Sequence, residues 1–105
     1  MRFRNSATNT EMYARLYKAG ILNFSAKTKR LITCERMYVD WIGKKVIFTP
    51  TDADDGYSFK ITKGRSNWTL CCGGLKKILP QDKDIPITEN EDGTFWIPAL
   101  EEAEE

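Results

Sequence analysis

Hydrophobic and polar positions alternate most cleanly in Tyr57-Ser-Phe-Lys-Ile-Thr62, which places Tyr57, Phe59 and Ile61 on one face and Ser58, Lys60 and Thr62 on the other. A period of two is the mark of a half-buried strand. The strand enters a turn at Lys63-Gly-Arg-Ser-Asn67 and resumes as Trp68-Thr-Leu-Cys-Cys72. It then gives way to Gly73-Gly-Leu-Lys-Lys-Ile-Leu-Pro80, a short helix that Pro80 stops. Residues 11 to 20 read by themselves either as a short helix ended by Gly20 or as a strand turning at Lys18-Ala-Gly20 into Ile21-Leu-Asn-Phe-Ser25.

Laying the first half over the second decides for the strand. Ala14 to Lys18 falls on Phe59 to Lys63, Gly20 near Gly64, Leu22 to Phe24 on Trp68 to Leu70, and Lys29 to Ile32 on Lys76 to Leu79. Each half then closes with a hairpin, Met37 to Gly43 into Lys44 to Pro50 and Ile85 to Thr88 into Thr94 to Pro98, the second carrying the strong turn pair Asp92-Gly93. The predicted fold is mainly β (α+β): two pseudo-symmetric ββαββ repeats, 11–50 and 57–100, forming one compact barrel with short helices only. Residues 51–56 are the connecting turn, residues 1–10 a flexible N-terminus, and 101–105 a solvated acidic tail. The alternation nominates Leu16, Leu22, Phe24, Leu31, Val39, Trp41, Val46, Phe48, Tyr57, Phe59, Ile61, Trp68, Leu70, Ile78, Ile85, Ile87, Phe95 and Ile97 for the core. The opposite face of Ser58, Lys60 and Thr62 lacks the aromatics that a base-stacking platform needs.

With 105 residues the chain has room for one core and not for two ordinary domains. No apolar run approaches the roughly 20 residues of a membrane span, and the polar start is unlike a secretory signal, so a cytoplasmic protein is expected. There is no histidine. That excludes, within this chain, Ser-His-Asp triads, Cys-His dyads and His-ligated zinc. Cys34, Cys71 and Cys72 are odd in number and not at metal-ligand spacing, so they are expected to be buried free thiols, and neither metal nor cofactor is expected. Asp52, Asp54 and Asp55 lack the length and distal Glu of a calcium loop and read as a turn. Gly73-Gly74 lacks the rest of a phosphate-cradling loop and reads as close backbone packing.

Charge divides unevenly. Residues 1–86 hold all sixteen Lys and Arg and eight acids, a net +8; residues 87–105 hold seven acids and no base, a net −7. A basic body of this kind points to a polyanion-facing surface.

The repeat unit, with Gly64-Arg65 before a strand and the basic pairs Lys29-Arg30 and Lys76-Lys77 on the short helices, resembles the AbrB/MraZ-type swapped-hairpin DNA-binding proteins. In this chain Ile21 stands where that family has an arginine, and Ser25 and Cys72 stand near its helix-opening proline. The resemblance implies double-stranded DNA as partner, with Lys29, Arg30, Arg65, Lys76 and Lys77 facing it, flanked by the aligned Lys18 and Lys63. Lysines as point charges favour contact with the phosphate backbone over base readout. The expected function is thus a small non-enzymatic DNA-binding regulator. The alternative is a phage or mobile-element protein that binds and modulates a host protein. A homo-oligomer is compatible with either, and no membrane is expected to be involved.

Overall fold

Short alternating segments become short strands. In the computed structural model, which describes residues 12–103, these are β1 (Tyr13–Leu16), β2 (Ile21–Phe24), β3 (Arg36–Ile42), β4 (Lys45–Thr51), β5 (Phe59–Lys63), β6 (Trp68–Cys71), β7 (Asp84–Pro86), β8 (Thr88–Glu89) and β9 (Phe95–Pro98). Two 3-10 turns, η1 (Ala26–Leu31) and η2 (Gly73–Lys77), follow β2 and β6. The segment that propensity leaves undecided is β1, because its alternate residues Ala14 and Leu16 are both fully buried. The expected N-terminal segment 1–10 and the last two residues of the acidic tail lie outside the described residues.

The strands form one antiparallel sheet in the order β7-β1-β2-β6-β5-β3-β4-β9-β8. Its two end members, β7 and β8, are consecutive in sequence and separated by Ile87 alone, so the sheet curls into a nearly closed barrel. The stretch expected as a single arm of the last hairpin is therefore shared between two neighbours. Ile85 pairs with Ala14 of β1, whereas Thr88 pairs with Trp96 of β9. Near closure leaves little exposed edge for unwanted strand pairing.

Inside, Phe24, Phe48 and Phe95 meet at ring-centroid distances of 5.7, 6.1 and 5.2 Å, two contacts edge-on and the Phe48–Phe95 contact stacked. Leu16, Leu22, Met37, Val46, Ile61, Leu70 and Ile97 are also fully buried around them. Removing one such ring costs about 3–5 kcal/mol. Ala14, Ile32, Met37, Leu75 and Leu79 also belong to this core, beyond the positions the alternation nominates.

Two nominated core residues are exposed. Tyr57, 80% exposed, precedes the strand: the Asp55 carboxylate accepts the N–H groups of Tyr57 and Ser58 and turns the chain before β5 begins at Phe59. That carboxylate also accepts the Tyr38 hydroxyl, which holds its pKa below the ordinary aspartate value. Trp41, 37% exposed, sits at the turn end of the β3–β4 hairpin, where its indole N–H donates to the Glu101 carbonyl at 3.1 Å. Val39, Phe59 and Trp68 are half-buried and pack against the core. Burial of the thiols is also corrected: Cys71 is exposed, and Cys34 and Cys72 are half-buried. Cys71 pairs with Ile21 on the outer side of the sheet, one residue from the buried Leu70.

Candidate nucleic-acid interface

The β2–β6 ladder organises the basic residues. It is antiparallel, with Ile21 opposite Cys71 and Phe24 opposite Trp68. Whatever follows β2 therefore lies beside whatever precedes β6, and the converse holds at the other end. At one end η1 meets the turn 64–67 through Lys29, while Arg30 turns to Glu89; at the other the start of η2 meets the turn 17–20 through Cys72 and Gly73. Each turn thus faces the 3-10 segment of the other half of the chain. The ladder is four residues long, which puts its two ends about 10 Å apart.

At the first end, Lys29 Nζ donates to the Ser66 carbonyl at 3.3 Å, next to Arg65. The Lys29 and Lys63 ammonium groups stand 5.4 and 4.8 Å from the ring centre of Trp68. The start of η1 is tied to β1, because Ser25 Oγ accepts the Tyr13 N–H at 3.0 Å and shares a hydrogen bond of 2.8 Å with the buried Thr28. Two of the predicted cations here already face carboxylates: Arg30 pairs with Glu89 at 3.0 Å and Lys63 with Glu35 at 3.1 Å. At the second end, Gly20 (φ +79°) packs so tightly that a Cβ there would lie 2.9 Å from Gly73 Cα. The Cys72 N–H donates to the Gly20 carbonyl at 2.9 Å. The close packing expected at Gly73-Gly74 is this contact, and the residue it restricts is Gly20. Lys18, Lys76 and Lys77 are exposed here and form no ion pair among the described residues; at the first end the exposed Arg65 and the half-buried Lys29 form none either.

Between the two ends runs a polar row across five strands: Asp84, Arg15, Asn23, Thr69 and Thr62 are successive cross-strand partners. Arg15 grips Asp84 at 2.7 and 2.9 Å, and that hydrogen bond and charge hold its guanidinium firmly protonated. Tyr13 and Tyr17 flank Arg15 on the same strand face. The aromatics that β5 lacks are thus supplied by β1, which sequence reasoning missed. Their signal was present in Tyr13-Ala-Arg-Leu-Tyr17, whose odd positions are the polar and aromatic ones, but it becomes visible only once the segment is known to be a strand. The comparisons add no relative: the chain matches no protein-family model, no curated protein and no solved structure.

Proposed function

We propose that this is a small non-enzymatic regulator that binds double-stranded DNA through the β2–β6 side of the barrel. The observation that carries the reading is the antiparallel β2–β6 ladder, which sets a basic turn from one half against a basic 3-10 segment from the other at both of its ends. Five cations, Lys18, Lys29, Arg65, Lys76 and Lys77, are left to contact phosphates. Arg30 and Lys63, already paired, take a smaller part.

The same reading includes two ββηββ units in a swapped-hairpin arrangement, and the pairing pattern supports it. The β3 strand of the first half adds to β5 of the second through Met37 and Phe59. In return, β7 of the second half adds to β1 of the first through Ile85 and Ala14. The halves meet again where β4 pairs with β9.

A salt titration against mixed-sequence duplex DNA tests the function. Each phosphate contact contributes about −0.9 to the slope of log affinity against log salt, so five contacts predict a slope of about −4.5. No binding at about 50 mM salt would remove this reading. A second reading, a protein that binds a host protein partner, draws on the exposed apolar group of Trp41, Ile42 and Leu100 beside the β3–β4 turn. Loss of that partner on Ile42→Ser, with DNA binding absent, is the result that would favour it.

A further inference from the structure

Beside the first cluster, the turn 64–67 and the outer face of β1 and β2 border a half-open cavity of about 300 Å³, lined among others by Tyr13, Arg15, Tyr17, Asn23, Ser66 and Asn67. Ligand sites run from about 300 Å³ upward, so this volume suits a single heterocycle and is too small to take a duplex. Its walls carry two tyrosines, a guanidinium already committed to Asp84, and two carboxamides. The Asn23 oxygen is buried and has no hydrogen-bond partner among the described residues. By turning its carboxamide into the pocket, Asn23 can offer this oxygen to a ligand N–H and so satisfy an acceptor that is costly to leave unpaired. Ser66, in the cavity wall, is the residue whose carbonyl takes the Lys29 ammonium, and Arg65 precedes it, so phosphate-binding charge sits at the rim.

From this combination of aromatic surfaces, an unmatched acceptor and adjacent cations, we infer that the cavity is a subsite for one unpaired nucleobase of a strand held by the first basic cluster. The inference rests on the nucleic-acid reading above and adds to it a preference for duplexes that carry an unstacked base. Removing an aromatic stacking partner weakens base binding by at least about fivefold.

The test compares two fluorescently labelled duplexes of one sequence, one perfect and one with a single unpaired adenosine, using the full chain. The bulged duplex is expected to bind at least about fivefold more tightly. That preference, read as the ratio of the two affinities so that any general loss of duplex binding cancels, should disappear in Tyr17→Leu, Asn67→Ala and Asn23→Leu. Tyr17 and Asn67 are exposed, so their variants are expected to fold even where Asn23→Leu does not. Equal affinity for the two duplexes, or a preference that survives Tyr17→Leu and Asn67→Ala, overturns the subsite and leaves the duplex reading in place. Should neither duplex bind, adenosine monophosphate is titrated while the Asn23 and Asn67 side-chain amide resonances are followed by NMR. Shifts in the wild type that vanish in Tyr17→Leu sustain the subsite without the regulator; unmoved resonances overturn both.

Discussion

The two basic ends of the β2–β6 ladder are assembled from the same parts and held in different ways. At the first, side chains do the holding: Lys29 reaches the Ser66 carbonyl, Lys29 and Lys63 flank Trp68, and Arg30 and Lys63 are partly neutralised by Glu89 and Glu35. At the second, backbone does it. Gly20 lies against Gly73 and the Cys72 N–H bonds the Gly20 carbonyl, leaving Lys18, Lys76 and Lys77 without a carboxylate partner among the described residues. A contact made by glycines consumes no charge. The second end is therefore the more available to a polyanion, and the first is the one with a cavity and an aromatic beside its cations.

The largest effect that sharpens this contrast is on stability. Gly20→Ala puts a Cβ at positive φ and into Gly73, and should cost about 1–3 kcal/mol in urea unfolding. Gly73→Ala meets nothing within 4 Å and should stay within about 0.5 kcal/mol of the wild type. Comparable losses in both would mean that the second end is not set by this one approach. Next comes charge. Lys76→Gln with Lys77→Gln should flatten the salt slope by about 1.8, whereas Arg30→Gln with Lys63→Gln should flatten it by less than about 1, because those cations already face carboxylates. Equal flattening would erase the difference between the ends.

A smaller effect belongs to the first end alone. Coupling between Lys29→Gln and Trp68→Leu, measured as a double-mutant cycle, should be about 0.5–1 kcal/mol, the value of an exposed cation–π contact. Zero coupling would reduce Trp68 to a packing residue. The smallest effect concerns the acidic segment. The Leu100 N–H donates to the Ile78 carbonyl at 2.8 Å and the Ala103 N–H to the Gly43 carbonyl at 2.8 Å, which holds Glu101 and Glu102 near the end of η2. Glu101→Gln with Glu102→Gln should raise DNA affinity by a few fold at about 10 mM salt and have no effect near 1 M, where the screening length is about 3 Å. A rise that ignores salt would rule out competition between these carboxylates and phosphate.

The strand-rich architecture was legible because alternation is a local property. Phe59 to Thr62, Leu22 to Phe24 and Val46 to Phe48 each reveal a buried face without knowledge of any partner. Overlaying the halves even recovered β1, whose own propensity is undecided. What alternation misjudged were positions set by turns and strand ends. Tyr57 fits the periodicity but is turned outward by Asp55, and Trp41 fits it beyond the last core layer. The candidate site was legible only as a set of cations, not as a geometry: Arg30 and Lys63 looked equivalent to Lys76 and Lys77 until Glu89 and Glu35 were found against them.

The sequence by itself determined that the chain would form short paired strands, that a basic pair would sit on each of two short helical segments, and that no histidine-based chemistry could operate within it. Those properties depend on residue type and on neighbours a few positions away. Which turn meets which helical segment was decided only by the tertiary structure. The antiparallel β2–β6 register brings residue 24 to residue 68 and residue 21 to residue 71, so each basic cluster is shared between halves of the chain more than 30 residues apart. The same register sets Asn23 between Arg15 and Thr69, and the curl of the sheet brings the turn 64–67 over them. A cavity, an unmatched acceptor and a neutralised cation are relations between distant residues, and they come into being only when the barrel forms.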